Sequence, residues 1–230
     1  MSTSKTALVT GATRGIGRAL VVELTRRGMS VFASGRDLAL LESLKVETGC
    51  AIAAHDLSKP DEVIALYSEA RTHFGGAPDV VVNNAGFNSR KSTVIEASLE
   101  DFDLQYAVNL RAPFLLSREA GRDMAARQSG HIVNIVSTAA LFANETMSVY
   151  SAMKAGLQHL TKILTKELRQ QNVKVTAVFP GGVDTEFRKN ARPDYMKADS
   201  TAHVIADAIF APDDVVIHDL VFRPLVESNF

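Results

Sequence analysis

The sequence predicts an α/β fold, a parallel sheet with helices on both faces. The first observation behind this is the regular alternation of short β-rich runs with longer helical patterns from end to end. The second is that several candidate strands read as nearly continuous apolar runs, such as Ala7-Leu8-Val9, Val80-Val81-Val82 and Ile132-Val133. A strand buried on both faces needs that pattern, whereas a half-exposed antiparallel strand would alternate. The third is size. A chain of 230 residues, 46% hydrophobic and 22% charged, suits one folded domain over 1–230, with no repeat, low-complexity tract or linker in it.

The first strand is expected over 6–10 and runs into Thr10-Gly11-Ala12-Thr13-Arg14-Gly15-Ile16-Gly17, where helix 15–28 opens. Glycines there let the backbone turn tightly and approach a pyrophosphate, whose charge the helix amino terminus favours. Strand 30–34 follows and ends in Ala33-Ser34-Gly35-Arg36-Asp37, before helix 37–47. Strand 51–55 leads past Asp56 into helix 60–74. Strand 80–83 closes with Asn83-Asn84-Ala85-Gly86, and helix 98–126 carries Asn109. Strand 131–136 ends at Ser137. Helix 146–171 has the clearest pattern: Val149, Met153, Leu157, Leu160, Leu164 and Leu168 recur at steps of three and four and make one apolar face. It carries Tyr150 and Lys154. Strand 174–179 runs into Pro180-Gly181-Gly182-Val183-Asp184-Thr185. An irregular, charged stretch over 187–197, expected to be a mobile loop, precedes helix 199–210 and strand 215–222. In such a fold, ligands sit at the carboxyl ends of the strands, near the point where strand order reverses.

Composition excludes several functions. Lys and Arg total 25 against 26 Asp and Glu, so nothing suggests a polyanion-binding surface, and nucleic acid is not an expected partner. Cys50 is the single cysteine and has no internal disulfide partner. No run approaches the roughly 18 apolar residues of a membrane span. The polar start, Met1 to Lys5, does not read as a signal peptide. A cytoplasmic location is therefore expected. His55, His73, His131, His159, His203 and His218 never fall at metal-ligand spacing, so no metal is expected.

Three side chains suggest carbonyl chemistry. A tyrosine hydroxyl titrates near about 10 and is a poor proton shuttle by itself. Lys154 stands four residues after Tyr150, on the same helix face, where a cation favours the phenolate. Ser137, at a strand's carboxyl end, can donate a hydrogen bond to a carbonyl oxygen and steady the charge that develops there.

The Gly-xxx-Gly-x-Gly turn, the Asn-Asn-Ala-Gly segment, Ser137, the Tyr150/Lys154 pair and the Pro-Gly turn stand in the order and spacing of one family. Over essentially its whole length, the chain resembles the short-chain dehydrogenase/reductase family. The resemblance implies a Rossmann-type doubly wound sheet of seven parallel strands, a nicotinamide cofactor, and hydride transfer between it and a carbonyl/alcohol pair. It implies catalytic roles for Asn109, Ser137, Tyr150 and Lys154, with Asn109 supporting a proton relay through water and Lys154 also holding the nicotinamide ribose. Implied cofactor contacts are Gly11, Thr13, Arg14, Gly15, Ile16, Gly17, Ser34, Arg36, Asp56, Leu57, Asn83, Ala85, Gly86, Tyr150, Lys154, Pro180, Gly181, Val183 and Thr185. Asn83 is expected to tie strands together. Asp56 is expected either to contact adenine or to cap the following helix.

The end of the second strand bears on which nicotinamide cofactor is used. An NAD enzyme places an acid there for the ribose hydroxyls. Here Ser34 is small and neutral, and Arg14 and Arg36 offer two guanidinium groups suited to a 2′-phosphate. Asp37 stands close by and reads as a helix cap. NADP(H) is expected over NAD(H).

The substrate side is expected to comprise 88–91, 139–147 and a lid over about 186–200, partly apolar through Leu141, Phe142 and Met147. Arg90, Lys91, Arg188, Lys189 and Arg192 surround it, as solvated charges or as a site for an anionic substrate. The resemblance is greatest to reductases of 3-oxoacyl thioesters and small 3-hydroxy acids, with small ketones also in range. It further implies a homodimer or homotetramer joined through helices 98–126 and 146–171. The rival reading is a catalytically weak or non-catalytic, nucleotide-sensing member of the same fold.

Overall fold

The computed structural model describes residues 4–187 and 190–227. The sheet-forming strands are β1 (Thr6–Thr10), β2 (Ser30–Gly35), β3 (Ala51–Ala54), β4 (Val80–Asn83), β5 (Gly130–Ile135), β6 (Val173–Pro180) and β9 (Asp219–Phe222). A further short pair, β7 (Val183–Asp184) and β8 (Met196–Lys197), stands apart from them. The helices are α1 (Gly15–Arg26), α2 (Leu38–Thr48), α3 (Pro60–Phe74), α4 (Leu99–Tyr106), α5 (Ala112–Arg127), α6 (Ser148–Leu168) and α7 (Ala198–Ile209).

Among the described residues the main sheet has seven strands in the order β3-β2-β1-β4-β5-β6-β9, every pairing parallel. The fold is thus a single Rossmann-type domain, as the sequence predicts. Alternate residues of each inner strand enter opposite layers. Ala7 and Val9 of β1 pack with α1, α2 and α7, while Leu8 packs with α3 and α5. Val80 and Val82 of β4 follow the first set and Val81 the second. Both faces need apolar side chains, hence the unbroken hydrophobic runs. Leu8, Leu20, Leu66 and Leu116 are each 1% exposed or less, and each such burial contributes about 1.5–3 kcal/mol.

Two local departures matter for the crevice. The predicted helix over 98–126 is interrupted by a π-helical turn, Ala107–Arg111, that contains Asn109. Pro113 has no N–H, so the Asn109 carbonyl loses its α-helical donor four residues on, and the helix adjusts by widening. The stretch over 187–197, expected to be irregular, ends in β8, which pairs with β7 through Val183–Met196 and Asp184–Lys197.

Candidate functional site

The strand order reverses between β1 and β4, and the carboxyl ends of these strands open a crevice of about 510 Å³. The turn after β1 forms its floor. Gly11 and Gly15 take φ of +65° and +52°, a region L side chains rarely enter. A Cβ at Gly17 would lie 2.2 Å from the Gly11 carbonyl oxygen. Arg14, at the N-cap of α1, makes no capping hydrogen bond through its side chain. The first-turn residues Gly15, Ile16 and Gly17 all line the crevice, and the first N–H groups of a helix have no partner within it, which suits them to an anion.

Asn84 was not singled out from sequence, yet it locks this turn. Its Nδ2 donates to the carbonyls of Thr10 (2.9 Å) and Gly11 (3.2 Å). Thr10 Oγ1 in return accepts from the backbone N–H groups of Asn84 and Ala85, both at 3.1 Å. The side chain of its neighbour Asn83 turns away from the crevice. Asn83 Nδ2 donates to Ser117 Oγ on α5 and to Asn134 Oδ1 on β5, and Asn134 Nδ2 donates to Thr161 Oγ1 on α6. Asn83 therefore ties strands and helices together, and Asn84 is the crevice residue.

At one end of the crevice lie Ser137, Tyr150 and Lys154. The i,i+4 placement of Tyr150 and Lys154 on α6 puts Lys154 Nζ 5.8 Å from the Tyr150 ring centroid. Lys154 is 3% exposed, and Nζ donates to the Ile135 carbonyl at 2.8 Å. Burial pushes its pKa down to about 8. The folded chain thus holds this proton less tightly than the unfolded chain. The cost of burying the charge is present below about 8 and is relieved as pH rises toward the unfolded value. Ser137 Oγ accepts from the Ala139 N–H at 3.1 Å, and the Tyr150 ring leans on Phe187 at 5.8 Å between centroids. Asn109 is fully buried and does not line the crevice. Its amide clasps the Phe87 backbone, Oδ1 accepting from N–H (3.1 Å) and Nδ2 donating to the carbonyl (2.9 Å). A Cβ at Gly86 would sit 2.8 Å from Asn109 Oδ1 and 3.2 Å from Lys154 Nζ, so only glycine lets these groups close up.

Arg14, Arg36, His55, Asp56 and Leu57 line the other end. Asp37 Oδ1 accepts from the Leu40 N–H and caps α2, while Oδ2 lies 3.3 Å from Arg14 Nη2. Burial works to raise the Asp56 pKa, but hydrogen bonds from Ser58 and the charges of Lys59 and Arg36 outweigh it and hold the carboxyl low. Asp56 Oδ1 accepts from the Ser58 N–H in a turn that precedes α3, whose N-cap is Lys59, so Asp56 does not cap that helix and stands in the crevice wall. Ser34 is fully buried and faces the core rather than the crevice. Thr13, Ala85, Pro180, Gly181, Val183 and Thr185 complete the expected lining.

On the expected substrate side, Asn88, Met147, Glu186 and Phe187 line the crevice, joined by Phe87, Val108 and Val136, which sequence reasoning missed. Leu141 and Phe142 do not line it. Arg90 and Lys91 are exposed outside it, and Arg192 pairs with Asp194 and stacks on Tyr195. Arg188 and Lys189 lie outside the described residues. Among the described residues, no three His, Cys, Asp or Glu side chains are placed to hold a metal ion, and no helix is long and apolar enough to cross a membrane.

Comparison with known proteins agrees with this geometry. The family model for short chain dehydrogenases matches residues 5–196. An uncharacterized oxidoreductase of Staphylococcus aureus is 31% identical over 229 residues, covering 97% of this chain and 98% of the relative. An uncharacterized short-chain type dehydrogenase/reductase of Sinorhizobium fredii is 35% identical over 191 residues, 83% of this chain and 75% of the relative. Among solved structures, the closed form of a serine dehydrogenase complexed with NADP+ superposes with a TM-score of 0.90 at 27% identity, covering 97% of this chain and 96% of that one. A metagenomic short-chain oxidoreductase in complex with NADP gives 0.87 at 33%, covering 97% and 99%. With the family model spanning most of its length, the chain belongs to the short chain dehydrogenase family.

Proposed function

We propose that the chain is an NADP(H)-dependent oxidoreductase that interconverts a carbonyl and an alcohol through Ser137, Tyr150 and Lys154. The observation that carries this reading is the make-up of this crevice. It has an uncapped helix terminus in the middle, two guanidinium groups at one end, and a tyrosine beside a buried lysine at the other. A volume of about 510 Å³ suits a dinucleotide laid along it, and the glycines at 11 and 17 let the turn pack closely against the β4 loop beside it. NADP-bound relatives of the same fold support the cofactor assignment.

The nicotinamide, when bound, supplies or accepts the hydride. Tyr150 passes the proton to or from the substrate oxygen, and Ser137 donates a hydrogen bond to that oxygen as charge builds on it. The Lys154 ammonium favours proton release from Tyr150. Because its pKa is about 8, kcat/KM for reduction is expected to fall as pH rises through that value. A pH–rate profile checks this, and a rate that stays flat through the alkaline range contradicts it.

Arg14 and Arg36 hold the 2′-phosphate. Losing one charge-assisted contact of about 1.5–3 kcal/mol should weaken NADPH about 10- to 150-fold in Arg36→Ala, with NADH little affected. Measuring NADPH and NADH oxidation in wild type and variant, over a panel of carbonyl substrates, tests the whole reading. An unchanged cofactor preference removes Arg36 from the site, and no turnover with any carbonyl favours a nucleotide-sensing role. The described lining favours an uncharged or zwitterionic substrate over an anion, since Arg90, Lys91 and Arg192 stand outside the crevice and Glu186 lines it. Serine, a 3-hydroxy acid that also carries an ammonium, belongs in the panel on the strength of the serine dehydrogenase likeness. The reading includes a cytoplasmic location and a homo-oligomer, the second supported by exposed Leu99, Phe102, Phe114 and Ile163 on α4, α5 and α6.

A further inference from the structure

Behind the crevice wall at Pro180–Val183, the end of the described chain folds back under the turn. Gly181 N–H donates to the Phe222 carbonyl at 2.9 Å, continuing the β6–β9 ladder. A turn closed by the Glu227 N–H on the Pro224 carbonyl (3.1 Å) then brings Glu227 back toward β6. Glu227 Oε1 accepts from the Gly182 N–H at 3.0 Å. Glu227 Oε2 stands 3.4 Å from Arg223 Nε, and the two side chains are only 14% and 5% exposed. The Arg223 guanidinium lies 4.8 Å over the ring of Phe142, on the loop that follows Ser137.

The turn is closely packed on this side. A Cβ at Gly181 would meet Glu227 Oε2 at 2.5 Å, and one at Gly182 would meet the Tyr195 ring at 2.2 Å. Tyr195 directly precedes β8, whose partner β7 leads into Thr185. One ion pair therefore touches the turn that carries Val183 and Thr185 and the loop that follows Ser137. A buried ion pair is a poor source of net stability, because desolvation offsets its attraction, but it fixes the position of what it bonds. Neither residue lines the crevice.

We propose that Arg223 and Glu227 are positioning residues that hold the Gly181–Gly182 turn and the Phe142 loop in register, so that the nicotinamide end of the crevice is assembled without either residue touching cofactor or substrate. This rests on the dehydrogenase reading above. The adenosine end, built from the β1 and β2 turns, should not sense the pair.

The test compares wild type with Glu227→Ala and Glu227→Gln, the second keeping an acceptor for the Gly182 N–H. Expected for Glu227→Ala is a fall in kcat with NADPH and a rise in carbonyl KM, together about ten- to a hundredfold in kcat/KM, the scale of a misplaced reactant. Affinity for 2′,5′-ADP, which probes only the adenosine end, should stay within about twofold, because that end is built independently. Glu227→Gln should recover only the part of the loss carried by the Gly182 hydrogen bond, because its amide cannot replace the ion pair with Arg223. Unchanged kinetics in Glu227→Ala overturns the proposal. So does a parallel loss of 2′,5′-ADP binding or of the folded state in both variants, which would make the pair a general structural element. Wild-type protein that binds 2′,5′-ADP but turns over no carbonyl would instead overturn the dehydrogenase reading.

Discussion

Tyr150→Phe is expected to lower kcat about a hundred- to ten-thousandfold while NADPH affinity stays near wild type, the range for losing a general acid. The change removes one oxygen and leaves the ring, which is 7% exposed and packed against Phe187. Lys154 keeps its hydrogen bond to the Ile135 carbonyl, so the end of β5 should not move. The variant thus separates chemistry from binding. Steady-state turnover and NADPH fluorescence titration check the two halves independently. Near-normal turnover would mean that another group supplies the proton, and the assignment of Tyr150 would fall.

Gly17→Ala is expected to weaken NADPH binding by about a hundredfold or more, a loss comparable to removing two hydrogen-bonded contacts from the pyrophosphate site. The added Cβ would lie 2.2 Å from the Gly11 carbonyl oxygen and 2.3 Å from Asn84 Nδ2. The first contact is backbone and cannot swing aside. The second is the amide that locks the turn to the β4 loop, so relief of the clash disturbs the two walls where the strand order reverses. Gly28→Ala provides the control. It has φ of +88° but nothing within 4 Å, so alanine there costs about 1 kcal/mol of backbone strain and should leave NADPH binding unchanged. Equal losses in the two variants would show that lost glycine freedom, rather than the close approach, decides the effect.

Much of the crevice was legible because its parts are local. A glycine turn between a strand and a helix, and a tyrosine and lysine one helical turn apart, need only neighbouring residues to be recognised. What sequence missed was contributed across the fold. Asn84 matters because its amide reaches the carbonyls of Thr10 and Gly11, more than seventy positions away, and periodicity carries no trace of that. Asn83, beside it, had the same residue type and motif but serves a different network, through Ser117, Asn134 and Thr161. Strand pleating decides between the two, since successive side chains leave on opposite sides. Arg192 read as a free cation near the pocket; in the structure Asp194 and Tyr195 engage it. Composition gives the number of charges and not their partners.

The sequence by itself determined the strand–helix alternation, the parallel sheet and the two ends of the crevice, because runs of apolar residues and short motifs act over distances the chain spans locally. Tertiary structure decided which asparagine faces the crevice, which basic residues stay outside it, how Pro113 widens the helix at Asn109, and that Arg223 and Glu227 brace the Gly181–Gly182 turn. Each of these depends on groups far apart in the chain meeting in a buried, close-packed setting, where a single methyl or an unpaired charge is costly.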